Sequence, residues 1–249
     1  MQEIRQEKMN QLIQTEEVVT MKALQAHFPE VSLMTIHRDL DTLAAAGHIA
    51  KIRGGARSIR QGRDPAFQIR EQENLAGKAL VAEKAAKLIQ RGACIFLDAG
   101  TTSLALARIL PDINVTIVTS GPNIALGLCH LAKPAVTLCP GNLNKENFAV
   151  SGHSTLAFLE SINIDLALIG VSGYSPAEGF TCGKESEMMV KRQAIAKARR
   201  TAVLCDQTKG SRIMPYTFAR LEDVDYMISD DNLSEDLLQK AKAVGVSVL

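Results

Sequence analysis

Two groups of residues have the types and spacing to do chemistry. The first is Ser32, Thr35, His37 and Arg38, within Pro29-Glu30-Val31-Ser32-Leu33-Met34-Thr35-Ile36-His37-Arg38-Asp39-Leu40. Hydroxyl, imidazole and guanidinium groups near the start of one helix suit the reading of base edges in a DNA major groove. Further on, Lys51, Arg53, Arg57, Arg60 and Arg63 follow one another with no acid between them. That pattern suits a phosphate backbone, whose counterions each bound cation would release. The second group closes a series of apolar runs: Asp98-Ala99-Gly100-Thr101-Thr102-Ser103, Thr119-Ser120-Gly121-Pro122-Asn123, Pro140-Gly141-Asn142, Gly170-Val171-Ser172-Gly173 and Asp206-Gln207-Thr208-Lys209. Hydroxyls and amides at a helix N-terminus hold phosphate. A lysine adds charge, and carboxylates and hydroxyls suit a sugar ring. Taken singly, each feature has an ordinary alternative: an amphipathic surface helix, a solvated basic loop, common turn chemistry. Their joint occurrence argues for function.

The elements that must position the first group can be read from spacing. Ile4, Met9, Leu12 and Ile13 predict a helix over residues 2–14, and Val18-Val19 a short extended piece. Thr20 caps a second helix with Met21, Leu24 and Phe28 inward, ended by Pro29. Ser32 is the N-cap of the next, with Val31 and Ile36 as a hydrophobic staple and Leu33, Ile36, Leu40 and Leu43 facing inward. Gly47 stops it near Ala46, and residues 48–60 form a hairpin with Gly54-Gly55 at its turn. Helix, short strand, helix, turn, helix and basic hairpin make a winged helix-turn-helix over residues 1–63.

Asp64-Pro65 marks a boundary. Residues 64–90 read as a helical connection of two pieces, 65–73 and 75–89, either a relay for a ligand signal or a passive first helix of the second domain. From 91 to 249 apolar strands alternate with helices. The strands are Cys94-Ile95-Phe96-Leu97, Val115-Thr116-Ile117-Val118, Ala135-Val136-Thr137-Leu138, Leu166-Ala167-Leu168-Ile169, Ala202-Val203-Leu204, Tyr226-Met227-Ile228 and Val246-Ser247-Val248. Near-continuous apolar strands are covered on both faces, which predicts an α/β domain with a mainly parallel sheet. In such sheets ligands bind beyond the carboxyl ends of the strands.

Composition limits the alternatives. Of 249 residues 46% are hydrophobic and 22% charged, ordinary for a globular protein, and the net charge of +1 confines any nucleic-acid contact to a local basic patch. No apolar run approaches the roughly 20 residues of a membrane span, and the polar start Met1-Gln2-Glu3-Ile4-Arg5 is unlike a signal peptide. A cytoplasmic protein is expected. The five cysteines contain no C-x-x-C pair and point to buried thiols rather than a metal site, and no cofactor is expected. Met188, Met189 and Val190 fit core better than interface.

The order of these motifs resembles a known family. Val31-Ser32-x-x-Thr35-Ile36-His37-Arg38-Asp39-Leu40-x-x-Leu43, then Gly47-x-Ile49 and Arg53-Gly54-Gly55-Ala56, resemble the N-terminal signature of DeoR-type bacterial transcription regulators. The family pattern usually has Arg-Arg-Asp-Leu and His-Gly-Gly-Ala. Here His37 and Arg53 depart from it, which leaves the operator sequence open. Ile95-Phe96-Leu97-Asp98-Ala99-Gly100-Thr101-Thr102, Ile117-Val118-Thr119-Ser120, Gly179-Phe180-Thr181 with Glu185, Lys191-Arg192 and Asp206-x-x-Lys209 resemble the C-terminal sensor of the same regulators. That sensor is similar in fold to ribose-5-phosphate isomerase and CoA transferases.

The resemblance implies a regulator, a repressor or less often an activator of a carbohydrate catabolic operon, under a phosphorylated sugar effector. It implies DNA contacts from Ser32, Thr35, His37 and Arg38, with Lys51, Arg53 and Arg57 on the wing. Arg38 could instead brace the helix through Asp39 or Asp41. It implies an effector pocket of Asp98, Gly100, Thr101, Thr102, Ser120, Gly141, Gly170, Glu185 and Lys209. Asn142 stands where the family often has glycine, so the sugar is not carried over. A double-stranded operator with paired half-sites calls for a homo-oligomer, dimer or tetramer. The competing reading is an isomerase-like enzyme with an appended DNA-binding domain, using Asp98, Glu185 and Lys209 for proton transfer.

Overall fold

The computed structural model describes residues 2–16, 18–45, 49–58, 64–210, 212–230, 233 and 235–249, in two units, Met1–Arg63 and Asp64–Leu249. The first unit runs α1 (Gln2–Glu16), β1 (Val18–Thr20), α2 (Met21–His27), α3 (Leu33–Ala45), β2 (Ile49–Ile52) and β3 (Gly55–Ser58), with sheet order β1-β3-β2. Both polar caps form. Thr20 accepts from the Ala23 amide at 3.1 Å and Ser32 from the Thr35 amide at 3.2 Å. Met9, Ile13, Val19, Leu24, Phe28, Ile36, Leu40, Leu43 and Ile49 make one core. Leu33 does not join it. It shares the inward phase of Ile36 and Leu40, but as the first residue of α3 it lies ahead of the packed turns and is 51% exposed.

The wing is an antiparallel hairpin whose turn is Arg53-Gly54, one residue earlier than the sequence suggested. Gly54 takes φ +84°, where a side chain is strained, and Gly55 opens β3. The second glycine is needed for another reason: a Cβ there would sit 2.1 Å from the Val19 carbonyl oxygen of β1. Gly47, Arg60 and Arg63, which carried the helix stop and the far end of the basic run, lie outside the described residues.

The second unit runs α4 (Phe67–Gln72), α5 (Leu75–Ala86), β4 (Cys94–Leu97), α6 (Thr101–Ile109), β5 (Thr116–Thr119), α7 (Pro122–Leu128), β6 (Ala135–Leu138), β7 (Asn142–Asn144), β8 (Ala149–Ser151), α8 (His153–Glu160), β9 (Leu166–Gly170), β10 (Gly173–Ser175), β11 (Gly179–Cys182), α9 (Glu185–Lys197), β12 (Thr201–Leu204), β13 (Tyr216–Ala219), β14 (Tyr226–Ile228), α10 (Glu235–Ala243) and β15 (Ser247–Val248). Seven strands form a parallel sheet in the order β15-β14-β12-β9-β4-β5-β6. Each coincides, within a residue or so at its ends, with an apolar run of the sequence. Strand residues alternate between two cores. Ile95, Leu97, Ile117, Leu168 and Leu204 pack with Val81, Ala85, Leu106 and Ile124 of α5, α6 and α7. Phe96, Val118, Ile169, Val203 and Met227 pack on the other face with Leu159, Val190, Ala194, Phe180 and Phe218. The antiparallel group β10-β11-β13 and the hairpin β7-β8 add to this frame.

The pieces read as a connection, α4 and α5, belong to the second unit, where Phe67, Val81, Ala82 and Ala85 are buried. Val190 is core and Met188 packs on it, while Met189 is 43% exposed. Cys139, Cys182 and Cys205 are buried, and burial pushes each thiol up to about 12. No helix among the described residues is long and apolar enough to cross a membrane. The β1–β3 approach yields a stability prediction. Gly55→Ala should cost about 1–3 kcal/mol by overpacking against Val19, seen as an earlier thermal unfolding of the first unit. Unchanged unfolding would show that β1 yields freely.

Candidate functional site

The strand order reverses at β4 and β9. The chain fills the sheet from β4 through β5 and β6 on one side, and from β9 through β12, β14 and β15 on the other. A crevice opens at the carboxyl ends of strands at such a switch point. Here it is lined by residues after β4 (Asp98, Gly100, Thr101, Thr102, Ser103), after β5 (Ser120), at and after β9 (Gly170, Ser172) and after β12 (Lys209). Arg70 of α4, Asn147 and Ser151 of the β7-β8 hairpin, and Glu187 and Lys191 of α9 complete the wall.

The centre of the cleft is a buried ion pair between Asp98 and Lys191. One Asp98 oxygen also accepts from the Gly170 amide at 3.1 Å, and the other from Ser120 Oγ at 3.5 Å. Lys191 Nζ donates in addition to the Gly170 carbonyl at 2.9 Å. Ser120 Oγ in turn accepts from the Ala99 amide at 3.1 Å. Burial works against the charge on Lys191, but Asp98, with Cys182 and Glu187 behind it, outweighs that and holds the ammonium above its ordinary range. Burial pushes the Glu187 carboxyl up, with Lys191 opposing, and Asn147 donates to it.

The cleft wall also carries groups that suit an anion. Gly100, at φ +151°, turns the chain into α6, whose first turn Thr101-Thr102-Ser103 is buried at the cleft wall. The first amides of a helix lack intrahelical partners and carry partial positive charge. The Ser103 hydroxyl has no partner among the described residues. Lys209 is buried in the cleft wall, and Arg70 lines the cleft from α4. The Asp206 carboxylate caps the turn that carries Lys209, through the Thr208 amide at 2.9 Å, and stays below the usual range despite burial because of the Lys209 charge and the hydrogen bonds from Thr208 and Asn74.

Seven of the nine residues expected in a pocket therefore line one cleft: Asp98, Gly100, Thr101, Thr102, Ser120, Gly170 and Lys209. Two do not. Gly141 follows the edge strand β6, and the space beside it is filled by Thr155 and Ser151. Glu185 is exposed at the start of α9. Sequence reasoning missed Glu187 and Lys191 as lining residues, yet a signal was present. Val190 and Ala194 fix the inward phase of α9, and Glu187 and Lys191, four apart, share it. Arg70 and Asn147 carried no such signal.

In the first unit the outer face of α3 presents Ser32, His37 and Arg38 exposed and Thr35 partly so, with Ser32 and Thr35 hydroxyls 3.0 Å apart. Arg38 does not brace the helix through its neighbours. Asp39 is buried and taken by Arg5 at 2.6 Å and Gln6 at 2.8 Å, and Asp41 pairs with Lys51 at 2.6 Å. Arg53 is exposed at the wing turn, and Arg57 lies half-buried in β3.

An outward-facing helix beside a basic wing and a cleft at a sheet switch point match two family models in order. Residues 5–62 match the DeoR-like helix-turn-helix domain and residues 73–231 the DeoR C-terminal sensor domain. The chain belongs to the DeoR family of transcription regulators. The transcriptional regulator GlpR of Haloferax volcanii is 32% identical over 88% of this regulator and 86% of its own length. The repressor GlcR of Bacillus subtilis is 32% identical over 90% and 84%. A solved ribose-5-phosphate isomerase A from Methanocaldococcus jannaschii aligns at 17% identity over 54% of each chain, with a TM-score of 0.40, a distant likeness. The regulator's buried pair yields a test. Lys191→Met leaves Asp98 buried without its cation and should cost about 3–5 kcal/mol. Adding Asp98→Asn should restore much of that, measured by denaturant unfolding. A double variant as unstable as the single one would show that the pair is not the source of the loss.

Proposed function

We propose that this regulator is a repressor of a carbohydrate catabolic operon, and that a phosphorylated sugar in the β4–β9 cleft controls its grip on operator DNA. The observation that carries this reading is the polar lining of the cleft. Arg70, Lys209 and the first turn of α6 offer positive charge and amides to a phosphate. Around the internally satisfied Asp98–Lys191 pair, Ser120, Glu187 and Asn147 offer donors and acceptors to hydroxyls and a carbonyl. A neutral sugar would leave the cations unanswered, and a bare phosphate would leave the polar groups unused. The names of relatives agree in kind: one from Haemophilus influenzae, 29% identical over 92% of this chain and 90% of its own, is a glycerol-3-phosphate regulon repressor.

The ligand is sensed rather than turned over in this reading. Asp98 is engaged within the protein, one oxygen by Lys191 and the Gly170 amide and the other facing Ser120 Oγ at 3.5 Å, which favours a structural role for its charge over proton abstraction. On the DNA side, Arg38 and His37 face outward from α3 with Ser32 and Thr35 at its start, and Arg53, Lys51 and Arg57 serve the backbone from the wing. The Lys51–Asp41 pair is exposed and costs little to open. Two or four copies place paired helices on repeated half-sites. Ligand shifts the assembly only as far as its affinity differs between the DNA-bound and released arrangements.

Two experiments test the two halves. In the first, binding to the regulator's own upstream DNA is measured by fluorescence anisotropy against phosphorylated sugars and their unphosphorylated parents. One phosphorylated sugar should change affinity and its parent should not, and the same sugar at 100 times its Kd should stabilise the state it binds by about 2.7 kcal/mol. A response to unphosphorylated sugars alone removes the phosphate reading. In the second, Arg38→Ala should cost about 1–3 kcal/mol of specific binding with little loss on unrelated DNA. Equal affinity for the specific site would remove Arg38 from base reading.

A further inference from the structure

The cleft already has an anion against its wall. Asp64, the first residue of the second unit, is a partly buried carboxylate. Arg212 approaches it at 3.2 Å, and the hydroxyl of Ser172, a residue that lines the cleft, donates to it. Burial alone would push this carboxyl up, yet it stays below the usual carboxylate range because Arg70, Arg212, Ser172 and Lys209 outweigh the burial. Arg70 and Lys209 line the cleft, as does the first turn of α6. Arg70 also holds the backbone next to Asp64, its Nε donating to the Pro65 carbonyl at 3.0 Å.

We propose that Asp64 is a built-in competitor for the cations of the cleft, which a phosphorylated effector must displace to bind. The inference rests on the phosphate reading above. A phosphate drawn to Arg70 and Lys209 brings two more negative charges next to the Asp64 carboxylate. Like charges at that range repel strongly where water is scarce. The carboxylate can leave, because it sits at the head of the unit on a short segment ahead of α4. Drawing the Arg70 guanidinium toward the phosphate also loosens its bond to Pro65. Asp64 is the first residue of the second unit, so the displacement acts at that unit's boundary.

The test uses the full chain and inorganic phosphate, titrated by calorimetry into the wild type, Asp64→Asn and Asp64→Glu. If the displaced arrangement is the minor one, at about 10% or less, removing the charge should tighten phosphate binding roughly tenfold. Asp64→Glu keeps the charge and should stay near wild type. Unchanged or weaker binding by a folded Asp64→Asn overturns the proposal and makes Asp64 a brace for Arg70 and Arg212, while phosphate binding by the wild type keeps the anion site itself. Absence of phosphate binding in wild type and variants removes the anion site and the proposal with it. Should Asp64→Asn not fold, hydrogen exchange in the wild type decides. Saturating phosphate should speed exchange at residues 64–67, and slower exchange there overturns the proposal.

Discussion

Asp98 and Lys191 face each other in a place with almost no water, and the sensor unit is arranged around keeping them there. Taking two such charges out of water costs several kcal/mol each, and only close pairing with further hydrogen bonds offsets it. The partners come from three elements that meet at the reversal of strand order. Asp98 ends β4, Gly170 ends β9 and contributes both its amide and its carbonyl, and Lys191 descends from α9. Ser120 adds the end of β5. The pair therefore fixes the relative positions of the strand ends whose loops line the cleft. It also aims the first turn of α6, since Gly100 and Thr101 follow Asp98 after one alanine and the Ala99 amide is itself held by Ser120. A cleft whose central charges are satisfied internally is rigid there, and its selectivity for a ligand falls to the groups around them.

The DNA-binding unit uses a related device. Asp39 lies in the middle of α3, buried, with Arg5 and Gln6 of α1 donating to it. The bonds act with the packing of Ile36 and Leu40 to set the rotation of α3 about its own axis. With the inward face fixed by packing and by this carboxylate, the outward face with Ser32, Thr35, His37 and Arg38 has one presentation. A recognition helix needs this, because a bidentate contact to a base tolerates little error in orientation.

How much of this was legible in the sequence depends on the range of each signal. The seven strands of the parallel sheet could be read because a strand covered on both faces must be apolar along its whole length, as Leu166-Ala167-Leu168-Ile169 is. The loops that follow them could be listed for the same reason, and the topology then brought four of the five together. The fifth, with Gly141, failed because strand order is not written in any local stretch: β6 lies at the sheet edge, away from the switch. Glu185 against Glu187 turned on helix phase, which Val190 and Ala194 set. The partners of Asp39, more than thirty residues away in α1, have no local signature. Arg70 and Asp64 were read as a boundary and a connection because nothing near them in sequence shows that their charges meet Ser172, Lys209 and Arg212.

That last failure bears on mechanism. The cleft is lined by the ends of the sheet strands, by the β7-β8 hairpin and α9, and by Arg70 from the segment that follows the unit boundary. Short α4 is held by Phe67, which is buried in the core and meets Phe148 edge-on at 5.3 Å, and by polar bonds. Lys78 donates to the Arg70 and Glu73 carbonyls at its end, and burial, with Lys209 nearby, lowers Lys78 to about 8. Asn74, in the left-handed conformation between α4 and α5, reaches Asp206 at 3.1 Å and Asp230 at 3.2 Å. Thus Asn74 bonds to Asp206, which caps the turn carrying Lys209, and Lys78 bonds to the backbone of Arg70. Apolar packing resists displacement over its whole area, whereas charged and polar bonds can be exchanged for others of the same kind when a new charge arrives. In the proposed reading, a ligand that brings its own phosphate acts on these exchangeable bonds rather than on apolar packing.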